Sequence, residues 1–168
     1  MADFDTQTSN TLHHEHTTVA EFLKKFESQL LQYRVEEVPD AQDSALTALL
    51  GDLIAIVETE LIPHFKFEED ALFPILQKAD ADDLCDLLQE EHDVILPIAK
   101  QLCEYARGAR KGGHDADGWA RFRRDGLALV ENLSGHIDKE EMSLVPLLDE
   151  TLDEEQDLEL ANNYMMMR

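Results

Sequence analysis

"HFKFEEDALFPIL" occupies His64–Leu76, and "HIDKEEMSLVPLL" occupies His136–Leu148. Both read H-x-x-x-E-E-x-x-L-x-P-x-L, with six identical positions at the same spacing. In each, histidine and the first glutamate are four residues apart. On a helix that is about 6 Å of rise and about 40° of turn, so imidazole and carboxylate share a face. The face is apolar: Val57, Leu61 and Leu72 surround His64, and Leu129, Leu133 and Leu144 surround His136. Two further histidines have the same setting. His16 lies in the frame Leu12, Val19, Leu23, Phe26, and His92 in the frame Leu88, Ile95, Ala99, Leu102. Each follows a glutamate, as Glu15-His16 and Glu91-His92. The chain therefore reads as a duplicated helix pair.

Four long amphipathic segments carry these histidines, at about 12–33, 43–78, 83–108 and 118–149. "EEVPDAQD", "KADADD" and the Gly/Asp-rich "RGARKGGHDADG" separate them. A cap-like Asp153 opens a short terminal helix at about 153–166. Short loops between long helices imply antiparallel neighbours. The expectation is an all-α, up-down-up-down antiparallel four-helix bundle, about 12–150, in a single domain spanning 1–168. Pro63, Pro74 and Pro146 fall inside segments two and four, where a proline removes a backbone hydrogen bond and bends the helix. Pro74 and Pro146 each come ten residues after a histidine, so they belong to the repeat.

Composition narrows the function. Hydrophobic residues make up 43% of the 168, enough for one core. There are 37 acidic against 14 basic residues, a net charge of −23. Such a surface repels phosphate backbones and anionic lipid, which argues against nucleic acid and membrane as partners. "MADFDTQTSN" has neither the basic nor the apolar region of a signal peptide, and no apolar run reaches the roughly 20 residues of a membrane span. The reading is cytoplasmic. Cys85 and Cys103 lie 18 residues apart on one helix, roughly 27 Å, too far for a disulfide. They read as buried thiols.

Burying carboxylates beside imidazoles without a partner costs several kcal/mol, and a cation offsets that cost. Imidazole with carboxylate suits iron, manganese or zinc. Four histidines and two glutamates are too many ligands for one tetrahedral zinc. They fit a pair of octahedral ions bridged by the glutamates. H-x-x-x-E alone is a weak signal in so acidic a chain. Yet of seven histidines only His64 and His136 have Glu at that spacing, and those two share the longer repeat. The ferritin-like Glu-x-x-His arrangement is absent, since no histidine has a glutamate three residues before it.

The order H … H-x-x-x-E … H … H-x-x-x-E resembles that of hemerythrin-like (HHE cation-binding) domains, over about 12–150. The resemblance implies a non-haem di-iron centre, oxo- or hydroxo-bridged, ligated by His16, His64, Glu68, His92, His136 and Glu140, with manganese or zinc as other metals. It implies binding or sensing of O2, NO or peroxide. An alternative is a di-iron enzyme acting on H2O2 or repairing iron centres under oxidative or nitrosative stress. The chain departs from the oxygen-carrying members at Leu96, where they have a further histidine, and at Glu140-Glu141, where their last carboxylate is an aspartate. It thus has fewer nitrogen ligands and more open coordination positions.

Other residues have weaker readings. His13, one turn before His16, is a candidate fifth nitrogen or, with His14, a solvated residue at a helix start. His114 reads as a loop surface residue. Glu69 and Glu141 are candidates to hold a ligand imidazole through its free N–H. Phe22, Phe26, Phe65, Phe67 and Phe73 fill core or line a dry pocket, and "YMMM" near the end packs on the bundle.

Overall fold

A computed structural model describes residues 4–168, and it is all-helical, with no strand among the described residues. The first helix is Gln7–Leu31, the second spans 44–77, the third is Asp82–Gly112, the fourth spans 116–151 and the fifth is Glu154–Met167. Consecutive helices meet with opposite polarity. Lys25 reaches Asp52, and Glu15 reaches His64. Farther on, Glu69 meets His92, Cys85 meets the Phe73 carbonyl, Tyr105 stacks on Phe122, and His92 meets His136. The fourth helix closes on the first: a Cβ at Gly126 would come within 2.7 Å of Leu30, while Asp149 at the other end accepts from Thr6.

Two boundaries differ from the expectation. The first helix begins at Gln7, not near 12. Thr6 caps it, and carboxylates from elsewhere finish the cap: Asp149 accepts from the Thr6 N–H, and Asp157 from the N–H groups of Gln7 and Thr8. Negative charge at a helix N-terminus is stabilising, and here it comes from the far end of the chain. The long Gly/Asp loop shrinks to 113–115 because the third helix runs on to Gly112. Leu102, Ala106 and Ala109 continue its buried stripe, and Gly113, at φ 78°, ends it.

The second and fourth helices contain three wider π turns, Val57–Leu61, Glu68–Leu72 and Glu140–Leu144. Each closes with an N–H to the carbonyl five residues back: Ile62 to Val57, Phe73 to Glu68 and Val145 to Glu140. The next residue each time is a proline, Pro63, Pro74 or Pro146. The expected bend is therefore an inserted residue, which relieves the clash of a proline ring with the carbonyl four back. Proline alone does not dictate it, since exposed Pro97 sits in the regular third helix. Two of the three turns begin at Glu68 and Glu140. A π turn brings successive side chains closer than the roughly 100° of an α-helix. Glu68 and Glu69 can then both face inward, as can Glu140 and Glu141.

The core divides into two apolar layers. One includes Val19, Phe26, Leu61, Phe65, Ile95, Leu133 and Ile137; the other includes Leu12, Leu72, Phe73, Leu88, Leu144 and Leu148. The four core histidines lie between them along their helices.

Candidate metal centre

His92, His136, Glu68 and Glu140 are 0% exposed, His16 is 4% and His64 5%. All six residues predicted as ligands therefore sit in the interior, and they sit together. His16, His64, Glu68 and Glu140 bring one nitrogen or oxygen each within 4.8 Å of one another, and so do Glu68, His92, His136 and Glu140. Both glutamates belong to both groups. Glu68 lies 3.2 Å from His64 Nε2 and 3.3 Å from His92 Nε2, through different oxygens. Glu140 likewise reaches His16 Nε2 and His136 Nε2, each at 2.9 Å. Each carboxylate thus spans the two histidine pairs, the arrangement of a bridging ligand.

The outer nitrogen of every core histidine is held by a glutamate. His16 Nδ1 lies 2.5 Å from Glu141, and the Nδ1 atoms of His64, His92 and His136 lie 2.8 Å from Glu15, Glu69 and Glu91. An ionised carboxylate only accepts, so Nδ1 carries the proton and a neutral ring turns its Nε2 lone pair inward. Four such lone pairs then face four carboxylate oxygens. His16 and His64 Nε2 are 3.1 Å apart, as are His92 and His136 Nε2. Neither oxygen of Glu68 or Glu140 has a hydrogen-bond partner. Buried acceptors that point only at other acceptors need a cation among them. Nitrogen and oxygen donors in this number fit a first-row transition metal. The residues present fit the group that the sequence implies.

Electrostatics agree. Burial pushes the Glu140 carboxyl up, but the His136, His16, His64 and His92 imidazoles hold it well below the usual carboxylate range. Burial and the Glu140 charge raise Glu68, and His64 and His92 pull it below its ordinary value. Burial pulls His92 down, yet Glu140, Glu68 and Glu69 lift it to about 9. The cluster thus favours positive charge among its carboxylates, which metal ions would supply.

The outer layer settles several open readings. Glu69 holds the His92 imidazole, and Glu141 the His16 imidazole. Glu15 and Glu91 do the same for His64 and His136. Their only sequence signal was the Glu-His doublet, whose glutamate serves the histidine of the next helix rather than its own neighbour. His13 lies outside both clustered groups, and its Nδ1 lies 2.7 Å from Glu141, which it shares with His16. It is not at a frayed start, being inside a helix that begins at Gln7. His14 is exposed. His114 is half-buried rather than on the surface, 2.7 Å from the Tyr105 hydroxyl and edge-on to Trp119. Phe65 stacks on His92 at 3.6 Å and Phe73 at 5.8 Å, so these two cover the His92 side. Phe22 and Phe26 fill core beside each other and Phe122. Phe67 stacks on Tyr164, whose hydroxyl donates to Glu15 at 2.8 Å. Met165, Met166 and Met167 are exposed. Leu96 packs half-buried against the core. Cys85 and Cys103 are free and buried. No helix among the described residues is long and apolar enough to cross a membrane.

The model of the hemerythrin HHE cation-binding domain family matches residues 7–148, which includes all six clustered residues. A comparison with curated proteins finds no match. The repeat, the shared carboxylates and the family match agree: the chain belongs to the hemerythrin family of HHE cation-binding domains, with a His/Glu cluster of the metal-binding kind.

Proposed function

We propose that the chain is an up-down-up-down four-helix bundle that holds two non-haem iron ions and binds a small uncharged oxidant, O2, NO or H2O2. The antiparallel helix pairings support the topology. His16 and His64 would hold one ion, His92 and His136 the other, and Glu68 and Glu140 would bridge them. Two irons so held supply electrons and open coordination positions to a small oxidant. Cys85 and Cys103, both free thiols, fit a reducing, cytoplasmic setting.

The observation that carries the ligand class is a narrow apolar chamber. Val19, Leu61, Phe65, Leu133 and Ile137 form its apolar walls, and His16, His64, His136, Glu140, Glu15 and Glu60 complete the lining. About 10 Å³ of it is open to the centre of a water-sized sphere. That is room for one molecule of diatomic size, in walls that favour an uncharged one. His16, His64 and His136 all line the chamber, while Phe65 and Phe73 stack over His92 and keep it apart. The chamber's apolar walls keep bulk water off the bridging carboxylates.

Val19→Leu tests this directly. One more methylene fills much of a chamber this small and leaves the neighbouring histidines and glutamates unchanged. Iron content is expected to stay at two per chain. Uptake of NO, followed by absorption, is expected to slow by about tenfold or more, given roughly 1–3 kcal/mol for forcing atoms into a filled space. Unchanged uptake would mean that the small molecule does not enter there.

A further inference from the structure

The family match ends at residue 148, yet the fifth helix, Glu154–Met167, reaches back to the centre. The Tyr164 hydroxyl donates to both oxygens of Glu15, at 3.0 and 2.8 Å. Arg168 Nη1 donates to Glu15 at 2.5 Å. Its Nη2 binds Glu60 and donates to the Thr59 carbonyl at 3.2 Å. Thr59 is four residues before Pro63, which has no N–H to offer that carbonyl. Glu15 in turn takes the Nδ1 proton of His64, and both Glu15 and Glu60 line the chamber. Glu15 is 4% exposed and Tyr164 3%, so their contact is interior, while Arg168 reaches in from the surface.

The other three outer glutamates are held differently. Lys139 binds Glu91, His13 binds Glu141, and among the described residues Glu69 has only His92 as a side-chain hydrogen-bond partner. The repeat that makes the inner ligands symmetric is thus broken one layer out, on the His64 side.

We infer that Tyr164 and Arg168 are positioning residues for one half of the centre: they fix Glu15, Glu15 fixes the His64 ring, and the two metal positions are thereby unequal. A carboxylate accepting three donors has no freedom to swing, so the His64 Nε2 lone pair stays aimed inward. The same bonds couple the terminal helix to the metal that His64 holds. Whatever loosens that helix loosens one ion and leaves the other.

This inference rests on the two-ion reading, and its test separates the two. Iron(II) is loaded anaerobically, and its release to excess chelator is followed with time. Wild type is expected to release two ions in two phases. Tyr164→Phe keeps the ring that stacks on Phe67 and removes only the hydroxyl. It is expected to speed one phase by roughly tenfold, the lower end of the 10–100-fold usual for outer-layer partners. The second phase and the melting temperature stay at wild-type values. Lys139→Met, which frees Glu91, is expected to speed the other phase. In the metal-free protein, Glu15→Gln is expected to raise amide exchange across residues 154–167. Wild type that loads fewer than two ions defeats the reading beneath. Wild type that loads two, with Tyr164→Phe releasing both at wild-type rates, defeats this inference alone. So does a Tyr164→Phe protein that speeds both phases equally and melts lower, or a terminal helix indifferent to Glu15→Gln.

Discussion

Glu140→Ala is expected to lower iron content from two ions per chain to fewer than one. The reason is that Glu140 belongs to both clustered groups and, as proposed, would serve both ions. Its two oxygens lie 2.9 Å from Nε2 of His16 and of His136, closer than Glu68 comes to its own pair. Removing it takes a protein donor from each position at once and takes away a bridge between them. Loss of a partner outside the ligand shell already costs about 10–100-fold in metal affinity, and loss of a shared ligand costs at least that at two sites. Glu141→Gln is the control. It disturbs only the partner of His16 and His13, and is expected to keep two ions at saturating iron. Elemental analysis of both purified variants decides the matter. Full loading of Glu140→Ala would show that Glu140 is not a ligand.

Stripping the metal is expected to lower the melting temperature by roughly 10–20 °C while leaving most helix in place. Ions bound to the native state alone stabilise it by about 2.7 kcal/mol each at a hundredfold excess over Kd, or about 5 kcal/mol for two. A chain of this size shifts by about 2–4 °C per kcal/mol. The helices survive because two apolar layers pack on either side of the centre without its help. What the metal-free chain loses is the neutralisation of two buried carboxylates. The same carboxylates raise the affinity of His16, His64 and His92 for protons, the direction expected of a site that favours positive charge. Thermal unfolding by circular dichroism, with and without chelator, measures the difference. Equal melting temperatures would place the metal somewhere other than this interior cluster.

The six inner residues were legible because they obey local rules. Histidine and glutamate four apart must share a helix face, and the repeat at His64 and His136 makes coincidence a poor account. The outer layer was only half legible. Glu69 and Glu141 stand next to ligands and drew notice for that. Glu15 and Glu91 also stand next to ligands, but one residue apart on a helix is about 100°, so their partners had to be on another helix. No spacing within one segment says which. Tyr164 was read, within "YMMM", only as packing on the bundle; nothing in a polar terminal helix names its target, which lies 149 residues away. The early start of the first helix was hidden for the same reason, since Asp149 and Asp157 complete its cap. Prolines gave a partial signal. Pro74 and Pro146 marked a shared geometry, yet a proline in a sequence reads as a bend, and only the carbonyl five residues back identifies a π turn.

One measurement bears most directly on the binuclear centre: a crystal of the iron-loaded protein with anomalous diffraction recorded at the iron edge. The account predicts two peaks between the four Nε2 atoms, one beside His16 and His64, the other beside His92 and His136, with Glu68 and Glu140 each touching both. A single peak, or two peaks that share neither carboxylate, would contradict it.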